Sequence, residues 1–141
     1  MRKNTNRKKA TPGKSPALSL TTKTEVVCPN DTNPMGILQG GRMLQWMDIA
    51  AAICAQRHAE KICVTASIDS VKFNCPVRIG DIVTITAVVE KAFTTSMRIL
   101  VTATAMNPVS RETHHVNEAV FTFVALDDRG RPVAVPALGA G

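Results

Sequence analysis

Asp48 stands in the most apolar helix-like stretch of the chain, Gly40 to Ala55, among Met43, Leu44, Trp46, Met47, Ile49 and a run of alanines. Taking an ionised carboxylate out of water is costly unless it is paired or hydrogen-bonded, so an acid in such surroundings is commonly kept for chemistry or for a partner from another segment. The residues three and four positions away are Leu44, Gln45, Ala51 and Ala52, none of them basic. A satisfying group must come from elsewhere in the fold or from a second subunit, which makes Asp48 the first candidate for a general base. The plainer alternative is a helix acid bonded to neighbouring backbone. Other catalytic patterns are weaker. His114 and His115 are adjacent on a strand-like stretch and point to opposite faces, so they form no ligand pair. No GxSxG nucleophile elbow occurs. Cys28, Cys54, Cys63 and Cys75 match no zinc-ligand or CxxC spacing and read as reduced, packed thiols, so no metal is expected.

The elements that must position Asp48 follow from periodicity. Leu18 to Cys28, rich in Thr and Val, reads as a first strand, and the turn formers from Pro29 to Gly36 make a loop. A helix starts near Gln39 and runs to His58, with apolar residues on nearly every face of its second half, as for a helix wrapped by something. Beyond Lys61 the pattern changes to period two. Ile62–Phe73, Asp81–Phe93, Ser96–Met106 and His115–Leu126 read as four strands, and Asp127–Gly130 as a closing turn. The order of strand, long helix and four strands predicts an α+β domain in which a mostly antiparallel sheet curls around one helix.

The 141 residues suit one domain. We place it at 17–136, between a basic tail at 1–16 and a C-terminal tail at 137–141, with the end from Pro132 expected to fray. Six basic residues, Arg2, Lys3, Arg7, Lys8, Lys9 and Lys14, sit in the head and leave 11 Lys+Arg against 11 Asp+Glu in the remainder. The domain is therefore neutral overall, and the head, short of apolar side chains, is expected to be disordered. An acidic partner or nucleic acid is its functional alternative, discouraged by the lack of interleaved aromatics. No apolar run reaches membrane-spanning length and no cleavable leader follows the basic head, so a soluble, cytoplasmic protein is expected.

From Asp31 to Asp48 the chain resembles hot-dog-fold acyl-CoA thioesterases of the brain-type and small bacterial branch. Their signature has an Asn, a Gly three positions on, a Gly pair, and an Asp seven positions after the second Gly, matched here by Asn33, Gly36, Gly40, Gly41 and Asp48. The likeness continues through Val64–Thr65, Val71–Lys72–Phe73, Pro76–Val83 and Glu118–Ala125, covering roughly residues 18–136. It implies the hot-dog fold, a long central helix wrapped by a five-stranded antiparallel sheet, and dimers that often assemble as trimers of dimers into hexamers. It also implies a site between protomers, where Asp48 of one faces the Asn33 loop and helix start of the other. The substrate would be acyl-CoA, with coenzyme A as part of the substrate and no separate cofactor.

Thioester hydrolysis needs an activated water and a positive environment for the oxygen that becomes negative. Asp48 could take the proton from water or attack directly, and sequence does not choose. Gly40 and Gly41, at a helix N-terminus with free N–H groups and no side chains, are the oxyanion-hole candidates; a tight helix entry is the structural alternative. Asn33 could orient the water or polarise the carbonyl, or simply make a turn. The resemblance places coenzyme A contacts at the turn holding Thr94, Thr95, Ser96 and Arg98, with Thr94 standing where relatives can have a basic residue and Lys91, Arg98 or Arg57 as substitutes. Val64 and Thr65 would flank the pantetheine arm, and Met43, Trp46, Met47 and Phe73 would line the acyl tunnel. Ile37 replaces a polar residue common in relatives. Together with Thr94 it favours the rival reading, a non-catalytic acyl-CoA binder or sensor on the same fold. No His precedes His58, which argues against the dehydratase branch.

Overall fold

A computed structural model describes residues 13–139; the basic head at 1–12 lies outside them. The described elements are β1 (Thr21–Val26), α1 (Gly40–Ala59), β2 (Ile62–Phe73), β3 (Ile82–Ala92), β4 (Ser96–Met106) and β5 (Thr113–Leu126). All strands pair antiparallel in one sheet of order β1-β3-β4-β5-β2. The expected α+β architecture is present, with α1 packed on the sheet.

Period-two burial sets the sheet's inner face. On β3 it presents Val83, Ile85, Ala87 and Val89, on β4 Met97, Ile99, Val101 and Ala103, and on β5 Ala119, Phe121, Phe123 and Ala125, all 2% exposed or less. Opposite them lie Met43, Met47, Ala50, Ala51, Cys54 and Ala55 of α1, equally sealed. Small residues on both sides let the helix axis approach the sheet closely, while the Phe121–Phe123 pair, centroids 6.4 Å apart, fills the volume beside them. Burial pushes the Cys54 and Cys63 thiols up to about 11. The wrapping is incomplete within one chain. Ile49 and Ile53 on α1 are 41% and 37% exposed, and β2, a sheet edge, leaves Ile62, Val64, Ile68 and Phe73 open to solvent.

Beyond shifts of one or two residues at the ends of α1, β3 and β5, two segments differ from the sequence reading. The first strand is shorter than Leu18–Cys28, because Pro16–Leu18 forms a 3-10 turn capped by the Ser15 hydroxyl, and Cys28 caps a second one at Pro29–Asp31. The end from Pro132 is docked through Gly139. Val133 and Val135 N–H donate to the carbonyls of Ala125 and Thr94, and Lys14 and Gly139 exchange backbone bonds that tie the two termini together. Val133, Val135 and Leu138 pack against the core, which is what holds a segment without regular structure in place. Residues 13–16 and 137–139 are thus engaged with the domain.

Candidate active site

The loop before α1 is built by Asn33. Its Oδ1 accepts from the N–H groups of Met35 at 2.9 Å and Ile37 at 3.1 Å, and its backbone accepts from Gly36 at 2.9 Å. Gly36 closes this turn at φ +74°, a conformation that suits glycine. The oxygen of Asn33 is therefore committed to the turn, and only its amide N–H groups remain to meet a substrate or water. Ile37 bridges to Arg78, which joins this loop to the one preceding β3.

The helix begins at the glycine pair, with Gln39 as a cap that contributes no side-chain bond. Met43 N–H is the first to reach back, to Gln39, so the N–H groups of Gly40, Gly41 and Arg42 have no acceptor among the described residues. A side chain at Gly40 would sit 3.3 Å from the Phe73 ring, whereas one at Gly41 would meet nothing within 4 Å. Gly40 is thus small because Phe73 lies on it. At Gly41 the chain itself imposes no such demand and leaves open space over a free amide. Beside them, Arg42 reaches Asp31 at 3.3 Å, adding a fixed positive charge to the positive end of the helix.

Asp48 lies two turns further along α1 and is half-buried. Its Oδ1 accepts the Thr65 hydroxyl at 2.7 Å, a short charge-assisted bond from β2. No Lys, Arg or His among the described residues lies within ion-pair distance of it. The partner expected from another segment is therefore Thr65, which the resemblance marked only as a neighbour of the substrate. The pair is separated by 17 positions and meets where the helix crosses the edge strand.

The remaining candidates divide by place. Phe73 is 56% exposed and covers Gly40; Val64 points away from the helix side that Thr65 faces and is 44% exposed. Met43, Trp46 and Met47, expected to line a tunnel, are sealed in the core at 7% exposure or less. Thr94, Thr95 and Ser96 form the β3–β4 turn, with Arg98 beside Glu90 at 3.8 Å. Arg57 lies at the other end of α1, its guanidinium bonded to Leu20 O and Thr21 Oγ1 at 3.2 Å each. His114 and His115 face Glu112 and Glu118 separately, in solvent. Cavities of about 330 and 980 Å³ occur at the sheet end near Cys75 and near Glu60, both away from Asp48. Among the described residues no cluster could hold a metal ion, and no helix is long and apolar enough to cross a membrane.

A long helix against five antiparallel strands is the hot-dog fold, and solved structures that the chain resembles include acyl-CoA hydrolases. Residues 35–109, more than half of the chain, match the Thioesterase superfamily, and the chain belongs to that family. It is 39% identical over 114 residues to an uncharacterized acyl-CoA thioester hydrolase, YkhA, of Bacillus subtilis, covering 81% of this chain and 66% of that one. The acyl-CoA hydrolase of Staphylococcus aureus, solved with butyryl coenzyme A and coenzyme A, superposes with a TM-score of 0.86 at 38% identity, covering 90% of this chain and 77% of that one. Single Asp, Asn and Thr to Ala variants of that enzyme have also been solved. A hexameric thioesterase from Yersinia pestis superposes with a TM-score of 0.77 at 35% identity, covering 83% and 95%. The chain spans just under two thirds of the Bacillus subtilis relative's length and 17% of that of a longer mouse acyl-coenzyme A thioesterase it also matches.

Proposed function

We propose that the protein hydrolyses acyl-CoA to a carboxylic acid and coenzyme A at a site shared by two protomers, with Asp48 as general base. The observation that carries this is a half-buried carboxylate whose one bonded partner among the described residues is the Thr65 hydroxyl, held on Oδ1, which leaves Oδ2 to accept a proton. The base draws a proton from water as the water oxygen attacks the thioester carbonyl. The oxygen that becomes negative is met by the unpaired amides at Gly40 and Gly41, where the helix end is positive. The tetrahedral intermediate then expels sulfur, and the thiolate recovers the proton from Asp48. A thiol of ordinary pKa, about 8.5, is a good leaving group and needs little further acid assistance.

Geometry within one chain supports the second protomer. Asp48 follows Gly41 by seven residues, about 10 Å along a helix axis at 1.5 Å per residue. A base and the oxyanion donors must both come within about 3 Å of the same reacting group. One chain's pair is too widely separated, whereas a two-fold partner can bring its own helix start to this Asp48. Ile49 and Ile53 beside Asp48, with Ile62, Val64 and Ile68 on the edge strand, offer the apolar surface such a partner would cover. A homodimer, assembling further into a trimer of dimers, is the form proposed.

Spacing adds support. In the Staphylococcus aureus enzyme the substituted Asn, Asp and Thr follow one another at intervals of 15 and 17 residues, the same intervals that separate Asn33, Asp48 and Thr65 here. The test is thiol release from acyl-CoAs of increasing chain length by wild type and Asp48→Ala. Release by the wild type and its loss in the variant is the expected result. Tight binding without release by the wild type would replace hydrolysis with sensing.

A further inference from the structure

One sealed titratable side chain takes no part in this chemistry. His58, near the end of α1, is 0% exposed. Its Nε2 lies 2.7 Å from the carbonyl oxygen of Pro136, so this nitrogen carries the proton and donates. Nδ1 is buried with no partner among the described residues. The ring therefore has one hydrogen-bonded contact, made to a segment outside the helix and sheet.

That segment, residues 132–139, is a strap across the end of the domain. Below His58 it is clasped by the N-terminal segment: Lys14 N–H donates to Ala137 O at 2.8 Å and Gly139 N–H to Lys14 O at 2.7 Å. The Lys14 ammonium in turn donates to Arg57 O, His58 O and the Glu60 carboxylate, all within 3.0 Å. In the other direction, one residue from the His58 contact, Val135 N–H donates to Thr94 O at 3.0 Å. Thr94 is the exposed tip of the β3–β4 turn. The turn's other ties are Phe93 N–H to Ser96 O at 2.8 Å and Ala125 N–H to Thr95 O at 3.0 Å, neither of which fixes the Thr94 carbonyl.

We propose that His58 is a positioning residue for coenzyme A binding, holding Pro136 so that Val135 fixes the Thr94 backbone in the turn that receives the phosphate-bearing end of the substrate. This rests on the acyl-CoA reading above and on the placement of coenzyme A at this turn that the resemblance implies. A turn released from the strap and in its competent form a tenth to a third of the time raises the apparent Kd about three- to tenfold.

The experiment compares full-length wild type with His58→Asn and His58→Gln. Gln carries an amide N–H at the reach of the lost Nε2; Asn does not. Steady-state kinetics, calorimetric Kd for free coenzyme A and hydrogen exchange at the Val135 amide are read together. His58→Asn should raise KM and Kd about three- to tenfold with kcat within about twofold and faster Val135 exchange, and His58→Gln should restore all three. Should His58→Asn fail to fold, Val135→Pro, which deletes the donor to Thr94 and with it the exchange readout, should give the same three- to tenfold rise in KM and Kd with kcat within about twofold. Faster Val135 exchange with unchanged KM and Kd overturns the proposal, as does a fall in kcat at constant KM. A wild type that binds coenzyme A without turnover overturns the hydrolase reading while the Kd comparison still decides this one; a wild type that binds none overturns both.

Discussion

Replacing Thr65 by Val tests the bond on which the site depends. The substitution keeps side-chain shape and strand propensity but deletes the O–H that donates to Asp48 Oδ1 at 2.7 Å. Hydrogen bonds to charged groups contribute about 1.5–3 kcal/mol. Thr65 is exposed and Asp48 half-buried, so water can replace part of what is lost, and the lower end applies. About 1.4 kcal/mol in transition-state positioning corresponds to a tenfold fall in kcat. Because Thr65 bonds Asp48, the proposed base, and is given no contact with the ground-state substrate in that proposal, KM should change little. Removing the base itself, in Asp48→Ala, should cost about 10²- to 10⁴-fold. The assay is steady-state thiol release for both single variants, the double variant and Thr65→Ser, which keeps the hydroxyl. Thr65→Ser should recover most of the rate, and the double variant should be no slower than Asp48→Ala alone. A Thr65→Val effect that persists undiminished without Asp48, or a fall smaller than twofold, would refute the reasoning.

Other substitutions separate folding from function. Gly41→Ala meets no atom of its own chain within 4 Å, so thermal unfolding should show stability unchanged or raised by up to about 0.5 kcal/mol, while activity falls at least about tenfold if a substrate must approach that amide. Val64→Lys or Ile68→Lys places a charge on the uncovered β2 surface; sedimentation should show a smaller species with native circular dichroism and lost turnover. Ellman titration should find Cys28 and Cys75, both exposed, reacting fast, and Cys54 and Cys63, both buried, reacting slowly. The buried pair also predicts a pH dependence. Their folded pKa, about 11, stands above the ordinary 9.0, so unfolded thiols ionise first and the stability held below pH 9 should decline between about pH 9 and 11; a flat stability profile there would contradict their burial.

The sequence reading succeeded where local periodicity is the physical cause. Ser96–Met106 matches β4 at both ends, because alternation on a pleated surface is set by which face is buried; Ile62–Phe73 matches β2 at both ends on its β-branched residues, although that edge strand is exposed along most of its length. It overran the start of β1, where Pro16 and the Ser15 cap impose 3-10 geometry as far as Leu18. The segment after Pro132 was misread because what fixes it, His58 and the Thr94 carbonyl, is 78 and 41 residues away in the chain. The alternation of Val133 and Val135 was the available signal. At the candidate site, Asp48 stands out by its apolar setting, yet its bond to Thr65 has no signal in the spacing, since helix-to-edge-strand contacts have no period. Nor could sequence separate Gly40 from Gly41; only the Phe73 ring does that.

The two sheet edges explain why association should use one face of the molecule. The β1 edge carries Lys23 and Glu25 in an ion pair, and charged side chains on an edge discourage further strand addition. The β2 edge carries Ile62, Val64 and Ile68 in the open, beside the helix face that holds Asp48, Ile49 and Ile53. The surface most costly to leave wet is therefore also the one that displays Asp48, the proposed base, apart from the amides proposed to meet the oxyanion. Apolar burial that drives two chains together would complete the site in the same step, so activity and assembly should be lost at the same dilution. Turnover per chain that stays constant as the protein passes into monomer would break that link.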